Sequence, residues 1–515
     1  MIVDRRGLLR GAVAGLACAR SSWPRRARAA GPRFTDHPFQ LGVTSGWIGP
    51  TSAVLWTRLA PEPLRGGGMP DRKVQVRWEV GEDESFRKIV RKGVFFAIPE
   101  LAHSVHAEVE GLSPGRTYFY RFFAGAEVSP VGRTRTLPDP SAPVERLKLG
   151  YGSCQHFEHG YYAAHRHLLE EELDLMVFLG DYIYESTWGE DLVRAHSGGG
   201  SVARTLRDYR DRHAQYKTDP DLQALHGAVP WVLTWDDHEV ANDYASLRSE
   251  RLEPDFRARR QAGYQAFWEH MPLPMSLRPV DGRMRIRHAL RFGRLAELFV
   301  LDGRQHKTPQ ACPKPGLGGG NLVETCEAVS DPDRSFLGAE QEGWLDRGLK
   351  KAGAAWNVVA QQTVFAPIDR KPGEGDRIWT DGWDGYPAAR RRLIRSLRRS
   401  AVEDSFIIGG DVHCAVAADV REDPEDPDSP IVSSELCGTS IASQGPSQDR
   451  LDALRPDNPH VHLAQAGRGY CTLELRPGRA TAAVRILDDV TRPDSGIETV
   501  ARFTAEAGRP GLQKG

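Results

Sequence analysis

The sequence lacks any run of about 18 consecutive apolar residues, which is the length that a membrane-spanning helix requires. It also lacks an excess of either charge, because the formal net charge is -1 at pH 7. Neither an internal repeat nor a low-complexity tract is present. These absences argue against a transmembrane segment, a stable nucleic-acid partner and a membrane-surface protein. They are compatible with an enzyme that acts on a small molecule.

The chain has 515 residues, more than the ~250–300 over which a single hydrophobic core grows, so we expect two domains. We also expect a monomer. Its apolar fraction of 40% and charged fraction of 27% are ordinary for globular proteins. Cysteine is sparse, with seven residues. Cys312 and Cys326 bracket a loop rich in Pro and Gly and could form a disulfide in an oxidising compartment.

The N-terminus has the pattern of an export signal. Arg5 and Arg6 form a twin-arginine pair, a short apolar run extends from Leu8 to Ala19, and Ala27–Ala29 is a small-residue cleavage site. We predict a twin-arginine signal over residues 1–30, recognised by the twin-arginine export machinery, and a periplasmic or secreted protein. The alternatives are a basic N-terminus without a targeting role, and lipidation at Cys18.

Residues 33–140 have the pattern of an all-β domain, with short alternating apolar runs such as SAVLWTRL and VQVRWEV separated by turns. Residues 112–121 resemble the tyrosine corner of fibronectin type III-like sandwiches, in which a Tyr holds a strand to the preceding turn. We therefore predict a small immunoglobulin- or fibronectin III-like β-sandwich at 33–140. The Pro-rich stretch at 137–145 is its linker to the next domain.

From residue 146 onward, buried apolar strands alternate with helical segments at about 160–172, 255–270 and 338–351. This pattern predicts a mixed α/β domain over residues 146–515, with two sheets flanked by helices. Near the end of the chain, IETVARFTAEAG is predicted as a short helix followed by a tail, together residues 497–515.

Four apolar strands of this domain each end in a polar cluster, at residues 152–155, 180–185, 235–239 and 409–413. Functional sites form at the carboxyl ends of strands in open α/β sheets. Taken singly, Cys154 could be a buried thiol, Asp181 a helix cap, His238 part of a surface acidic cluster and His413 a core histidine. Four such clusters in chain order favour one shared metal site.

The order of these clusters resembles that of calcineurin-like metallophosphoesterases, and the residues within them resemble the alkaline phosphatase D (PhoD) family. Cys154 stands in the first motif, and Asp181 and Tyr184 in the second. The third motif contributes Asp237 and His238, and the fourth contributes Asp411 and His413. Other segments are also similar to that family, among them LDGRQHK, FLGAEQEGWL and NPHVHLAQAGRGY. The resemblance covers the export signal, the β domain and nearly all of the α/β domain.

The resemblance implies two neighbouring metal positions. The first would combine Cys154, Asp181, Tyr184 and His413, a set whose thiolate and phenolate suit ferric iron. The second would combine Asp181, Asp237 and Asp411, whose hard oxygens favour calcium, with manganese or magnesium as alternatives. Asn242 is implied as a ligand of a further calcium. Tyr182 is the alternative to Tyr184.

Two metal ions can hold a phosphate group and activate water or hydroxide for attack. His238 is the candidate for protonating the leaving oxygen, and Arg304 for binding phosphate oxygens, with an ion pair to Asp302 as its alternative. We predict an exported hydrolase of small phosphate mono- and diesters. Two alternatives are a phospholipase D-like enzyme acting on lipid head groups and a secreted binding protein with a decayed site. The resemblance also implies that residues 497–515 form a lid over the site.

Overall fold

The computed structural model describes residues 34–515. The predicted export signal and Cys18 lie outside the described residues. Within residues 34–515, no helix combines the length and the apolar character that a membrane span needs.

The first part of the described chain contains strands only, apart from one short 3-10 turn. The strands are β1 (Val43–Gly46), β2 (Ser52–Arg58), β3 (Val74–Gly81), β4 (Ile89–Ala97), β5 (Ser104–Glu110), β6 (Thr117–Ala124), β7 (Glu127–Val128) and β8 (Gly132–Arg135).

The rest of the chain alternates between strands and helices, as the sequence predicts. Up to residue 300 its elements are β9 (Leu147–Gly152), α1 (Ala163–Leu169), β10 (Leu175–Leu179), α2 (Leu206–Tyr216), α3 (Pro220–Ala228), β11 (Trp231–Thr234), α4 (Phe256–His270), β12 (His288–Phe292) and β13 (Ala296–Val300). The next are β14 (Leu322–Val323), α5 (Ala339–Lys351), β15 (Trp356–Ala360), β16 (Ile378–Trp379), α6 (Pro387–Arg398) and β17 (Ser405–Gly409). The last are β18 (Ala415–Arg421), β19 (Ile431–Cys437), α7 (Gln448–Leu454), β20 (Val461–Gln465), β21 (Gly469–Arg476), β22 (Arg479–Leu487), β23 (Ile497–Glu506) and β24 (Arg509–Lys514).

Two large sheets face each other, which confirms the predicted two-sheet α/β architecture. One has ten strands in the order β24-β23-β22-β21-β9-β10-β11-β1-β2-β5, and the other has seven in the order β12-β13-β15-β17-β19-β18-β20. Apolar side chains of β9 and β10 pack with those of β15 and β17 in one buried cluster between the sheets. Two further clusters lie under the helices on the outer faces. The layers are therefore helix, sheet, sheet and helix.

The N-terminal strands share a sheet with the α/β region. Strands β3, β4, β6, β7 and β8 form a five-stranded sheet, whereas β1, β2 and β5 extend the ten-stranded sheet. The junction is the parallel pairing of β1 with β11, where Gly46 lies opposite Trp231. A Cβ atom at Gly46 would lie 2.5 Å from the carbonyl oxygen of Trp231, so glycine permits this close approach. The predicted sandwich therefore continues into the α/β sheet on one side.

The tyrosine corner is formed as its sequence indicates. The Tyr118 hydroxyl on β6 accepts a hydrogen bond of 2.9 Å from the backbone N–H of Ser113 in the preceding turn. The Tyr118 ring is buried. This bond ties the start of β6 to the turn before it.

The helix predicted within residues 497–515 is wrong, because this segment forms the antiparallel strands β23 and β24 at one edge of the ten-stranded sheet. Along β23, buried Ala501, Phe503 and Ala505 alternate with more exposed residues, which is the two-residue period of a strand. No residue of 497–515 is among those that line the large cleft described below. In this structure the segment completes a sheet and does not cover the cleft.

Cys312 and Cys326 are bonded to each other, as their spacing allowed. The other four cysteines of residues 34–515 are free and buried: Cys154, Cys414, Cys437 and Cys471. The disulfide closes the Pro/Gly-rich loop and suits an oxidising compartment.

His106 on β5 connects the N-terminal strands to α4 and makes stability depend on pH. Its Nδ1–H donates to the Leu273 carbonyl at 2.8 Å, and its ring stacks on Trp268 at 4.1 Å. Burial lowers the pKa of His106 to about 4. Because the unfolded chain binds this proton more readily, the stability is fully present above pH ~6.5 and is lost as the pH falls toward 4.

We expect wild type to lose about 2 kcal/mol more stability than His106→Gln between pH 7 and pH 5. Urea unfolding at the two pH values measures this difference. The matched control is His37→Gln at an exposed position, which should keep the wild-type pH dependence. An equal pH dependence of wild type and His106→Gln would contradict the prediction.

Candidate metal centre

The predicted ligands come together at one end of the two-sheet sandwich. Strands β9, β10 and β11 are adjacent and parallel, so their carboxyl ends present Cys154, Asp181 and Asp237 side by side. Strand β17 of the facing sheet presents Asp411 and His413. The four strand ends therefore contribute to one site, although they come from two sheets.

The backbone at this site is unusual. Cys154, Asp181, Asp411 and His413 all have a positive φ, between 53° and 66°. A residue other than glycine in this region carries a strain of about 1–3 kcal/mol, which persists where the surrounding structure fixes it. Gly180, directly before Asp181, has a φ of 108°, and a Cβ there would lie 2.5 Å from the Cβ of Asp236. These conformations turn four polar side chains toward a common point.

The first cluster contains the predicted iron ligands. The ligand atoms of Cys154, Asp181 and His413 lie within 4.8 Å of one another. The Tyr184 hydroxyl donates to Asp181 Oδ2 at 2.9 Å and lies 3.1 Å from His413 Nε2. Because His413 Nδ1–H donates to the Gln444 carbonyl, its Nε2 is free to bind a metal. Tyr182 does not compete, since its hydroxyl lies 2.8 Å from His226 Nε2.

The second cluster is made of carboxylates. One oxygen from each of Asp236, Asp237 and Asp411 lies within 4.8 Å of the others, and Asp181, Asp237 and His238 form a further group of this size. Asp181 belongs to both the first cluster, here called the thiolate cluster (Cys154, Asp181 and His413), and the group around Asp237. This is the position expected of a ligand that two metal ions share. Asp236 was not predicted as a candidate ligand.

His238 lines the same cleft, whose volume is about 600 Å³. Its Nδ1 lies 2.6 Å from Glu185 Oε2, and its ring lies over Tyr184 at 4.1 Å. Burial lowers the pKa of His238, but Glu185 and Asp237 raise it more, to well above its ordinary value. Glu185 was not predicted as a functional residue, although an acidic residue directly after Tyr184 in the second motif could have indicated it.

Asn242 also lines the cleft, and its backbone N–H donates to Glu185 Oε1 at 3.0 Å. The same carboxylate therefore contacts both His238 and the backbone of Asn242. The predicted calcium-binding role of Asn242 stays a prediction.

Arg304 does not line the cleft, so the structure does not support its predicted contact with phosphate. Its side chain is 3% exposed. The guanidinium donates to Asp236 through Nε and to Asp381 through Nη1, and Nη2 lies 3.6 Å from Asp237 Oδ1. The guanidinium does not pair with Asp302, the alternative partner; Asp302 Oδ1 instead accepts from the backbone N–H of Arg304 at 3.0 Å. Arg304 instead holds the carboxylates behind the centre.

Glu239 connects two of the strand ends and was not predicted. Its carboxylate accepts backbone N–H bonds from Asp181 at 3.1 Å, Tyr182 at 2.5 Å and Asp236 at 2.7 Å. Burial raises the pKa of Glu239 to about 7. The side chain thus fixes the ends of β10 and β11 relative to each other.

The electrostatics of the site suit a bound cation. Burial raises the pKa of the Cys154 thiol well above its ordinary value, and the negative charges of Asp181 and Asp411 raise it further. Burial likewise raises the pKa of Asp181 and of Asp236, and neighbouring carboxylates add to both shifts. A metal ion would favour the charged forms of all these groups. The donor atoms present, a thiol, a phenol, an imidazole and several carboxylates, therefore fit one or more metal ions.

Comparisons with known proteins show which family the chain is similar to. The family model described as PhoD-like phosphatase matches residues 149–484, and the model of the PhoD-like phosphatase N-terminal domain matches residues 25–138. The chain is 44% identical to alkaline phosphatase D of Bacillus subtilis (strain 168) over 527 aligned residues, which cover 99% of this chain and 89% of the relative. It is also similar to a solved structure titled "Structure of PhoD", with a TM-score of 0.90, 43% identity and coverage of 94% and 93% of the two chains.

Proposed function

Because the chain belongs to the PhoD-like phosphatase family, we propose that it is an exported hydrolase of phosphate mono- and diesters that uses metal ions at the strand-end site. The observation that supports this most directly is the meeting of Cys154, Asp181, Asp237, Asp411 and His413 beside one cleft. All the ligands that the motifs require are present, which argues against a binding protein with a decayed site.

Two metal positions follow from the donor atoms. Cys154, Tyr184, Asp181 and His413 would hold ferric iron, since thiolate and phenolate donors stabilise a trivalent ion. Asp181, Asp237 and Asp411 would hold calcium, or manganese or magnesium, because hard oxygen ligands favour these ions. Asn242 would bind a further calcium. When bound, such ions hold the phosphate group and activate water for attack on phosphorus.

The protein's own side chains would perform the remaining steps. His238 faces the cleft and would donate a proton to the leaving oxygen. Glu185, at 2.6 Å from His238 Nδ1, orients the ring and stabilises its protonated form. Arg304 and Glu239, which are buried and do not line the cleft, would keep the carboxylates in place.

Two features support export. Arg5 and Arg6 precede an apolar run and a cleavage pattern. The Cys312–Cys326 disulfide is of the kind that persists outside the reducing cytoplasm. The twin-arginine machinery carries folded proteins, which suits an enzyme loaded with metal before export.

The cleft lining favours a compact polar ester over a lipid. Most lining residues are charged or polar, and the large apolar ones are Trp188, Trp379, Val202 and Val412. The phospholipase D-like alternative therefore gains no support from the cleft.

The test is hydrolysis of an aryl phosphate monoester and the matching diester at alkaline pH, before and after calcium chelation. We expect hydrolysis of both esters, loss of activity on chelation, and recovery when calcium is returned. Inactivity toward both esters with bound metal confirmed would contradict the proposed substrates. Inactivity without bound metal would favour the binding-protein alternative.

A further inference from the structure

A phosphate ester carries negative oxygens that a cationic side chain can bind, and Arg304 does not line the cleft. Four arginines line the cleft: Arg204, Arg251, Arg259 and Arg370. Arg204 pairs with Glu253 at 2.6 Å, and Arg259 pairs with the other oxygen of Glu253 at 2.5 Å. These two guanidinium groups are therefore engaged by a carboxylate.

Arg370 combines two features that occur together in none of the other three. It is half-buried, with an Nε that is buried and has no hydrogen-bond partner among residues 34–515, and no carboxylate of that range pairs with its side chain. Arg259 also has a buried nitrogen without a partner, Nη2, but its Nη1 pairs with Glu253. Arg251 is exposed. A buried donor without a partner costs free energy, and a charged donor costs more. Such a cost is recovered when an anionic ligand accepts from the guanidinium.

The backbone around Arg370 is fixed by its neighbours. The Arg370 N–H donates to the Arg377 carbonyl at 2.8 Å. Asp369 N–H donates to Asn458 Oδ1, and Asn458 Nδ2 donates back to the Asp369 carbonyl, each at 2.9 Å. Asp369 Oδ1 accepts from the N–H groups of Lys371 and Arg377, each at 2.9 Å. The arginine thus extends from an anchored loop.

Arg370 also lies beside the metal centre. Val412, the residue between the predicted ligands Asp411 and His413, lines the cleft together with Arg370. Both residues also border a small apolar groove that includes Ile368 and Val364. An apolar surrounding weakens competition from water and strengthens the pairing of a guanidinium with a phosphate.

We propose that Arg370 binds the non-bridging oxygens of the substrate phosphate in the cleft, the role that the sequence suggested for Arg304. This inference rests on the proposed function, because it takes a phosphate ester as the ligand. A guanidinium can form two parallel hydrogen bonds to phosphate, which a lysine cannot reproduce.

The experiment compares Arg370→Met with Arg251→Met, an exposed arginine on the same cleft, and with Arg370→Lys. For Arg370→Met we expect the KM for an aryl phosphate monoester to rise about 10- to 100-fold. The inhibition constant of inorganic phosphate should rise by a similar factor, with unchanged metal content and a smaller change in kcat. Arg370→Lys should recover part of the affinity, and Arg251→Met should behave as wild type.

A second readout does not require turnover: binding of inorganic phosphate to the metal-loaded protein, measured by calorimetry. Wild-type affinity for phosphate in Arg370→Met, with an active wild type, would overturn the inference and leave the proposed function intact. If the wild type hydrolyses neither ester, the proposed function fails, while calorimetry still shows whether Arg370 binds phosphate. Should Arg370→Met fail to fold, an unchanged KM and phosphate affinity in Arg370→Lys would equally overturn the inference.

Discussion

Replacing Asp181 by asparagine should strongly reduce activity and weaken metal binding at both proposed positions. Asp181 belongs to the thiolate cluster with Cys154 and to the carboxylate group with Asp237, so it is the one side chain that both proposed metals share. The amide keeps the shape but loses the negative charge. We expect kcat/KM to fall by about a thousandfold or more, and elemental analysis to find less than the wild-type amount of either metal.

The matched control is Asp139→Asn, which removes an exposed carboxylate that does not line the cleft and should leave metal content and rate unchanged. Thermal unfolding of the metal-free proteins should show that Asp181→Asn still folds, because burial already favours the neutral form of this carboxyl group. Full metal content and wild-type turnover in Asp181→Asn would contradict the proposed shared ligand.

Replacing Arg304 by methionine should destabilise the protein by about 3–5 kcal/mol, the typical cost of removing one partner of a buried ion pair. The guanidinium contacts Asp236 and Asp381, whose side chains are 2% and 3% exposed. Asp381 would keep Lys307 as a partner at 2.8 Å. Asp236 would lose Arg304, the cation with which it forms its ion pair. Urea unfolding at neutral pH measures the effect.

The double variant Arg304→Met/Asp236→Asn tests the cause. Removing the second charge should restore part of the lost stability, because the buried carboxylate is then no longer unpaired. If Arg304 instead bound substrate, its loss would raise KM and leave the unfolding midpoint unchanged. That result would restore the role suggested by the sequence.

The sequence was a good guide wherever local pattern decides the structure. Polar residues directly after apolar strands located Cys154, Asp181 and Asp237, because adjacent parallel strands bring their carboxyl ends together. The tyrosine corner was recognisable because Tyr118 and Ser113 are only five residues apart.

The sequence was a poor guide where distant segments decide the outcome. The partners of Arg304 lie 68 and 77 residues away in the sequence. No local signal therefore showed whether Arg304 pairs with buried carboxylates or contacts the substrate. The C-terminal segment contains Ala and Glu, which favour a helix, but pairing with β22 and burial of Phe503 make it a strand. The shared sheet likewise depends on one glycine, Gly46, opposite Trp231.

The strand order of the ten-stranded sheet has a consequence for folding kinetics. Strand β9, which ends two residues before Cys154, pairs with β21 more than 300 residues later in the chain, while β11 pairs on its other side with β1. Contacts of such long sequence separation form late and slowly. The proposed ligand set is therefore complete only after residues 411–413 have been made and β21 has paired with β9, so we expect the proposed metal ions to bind late in folding.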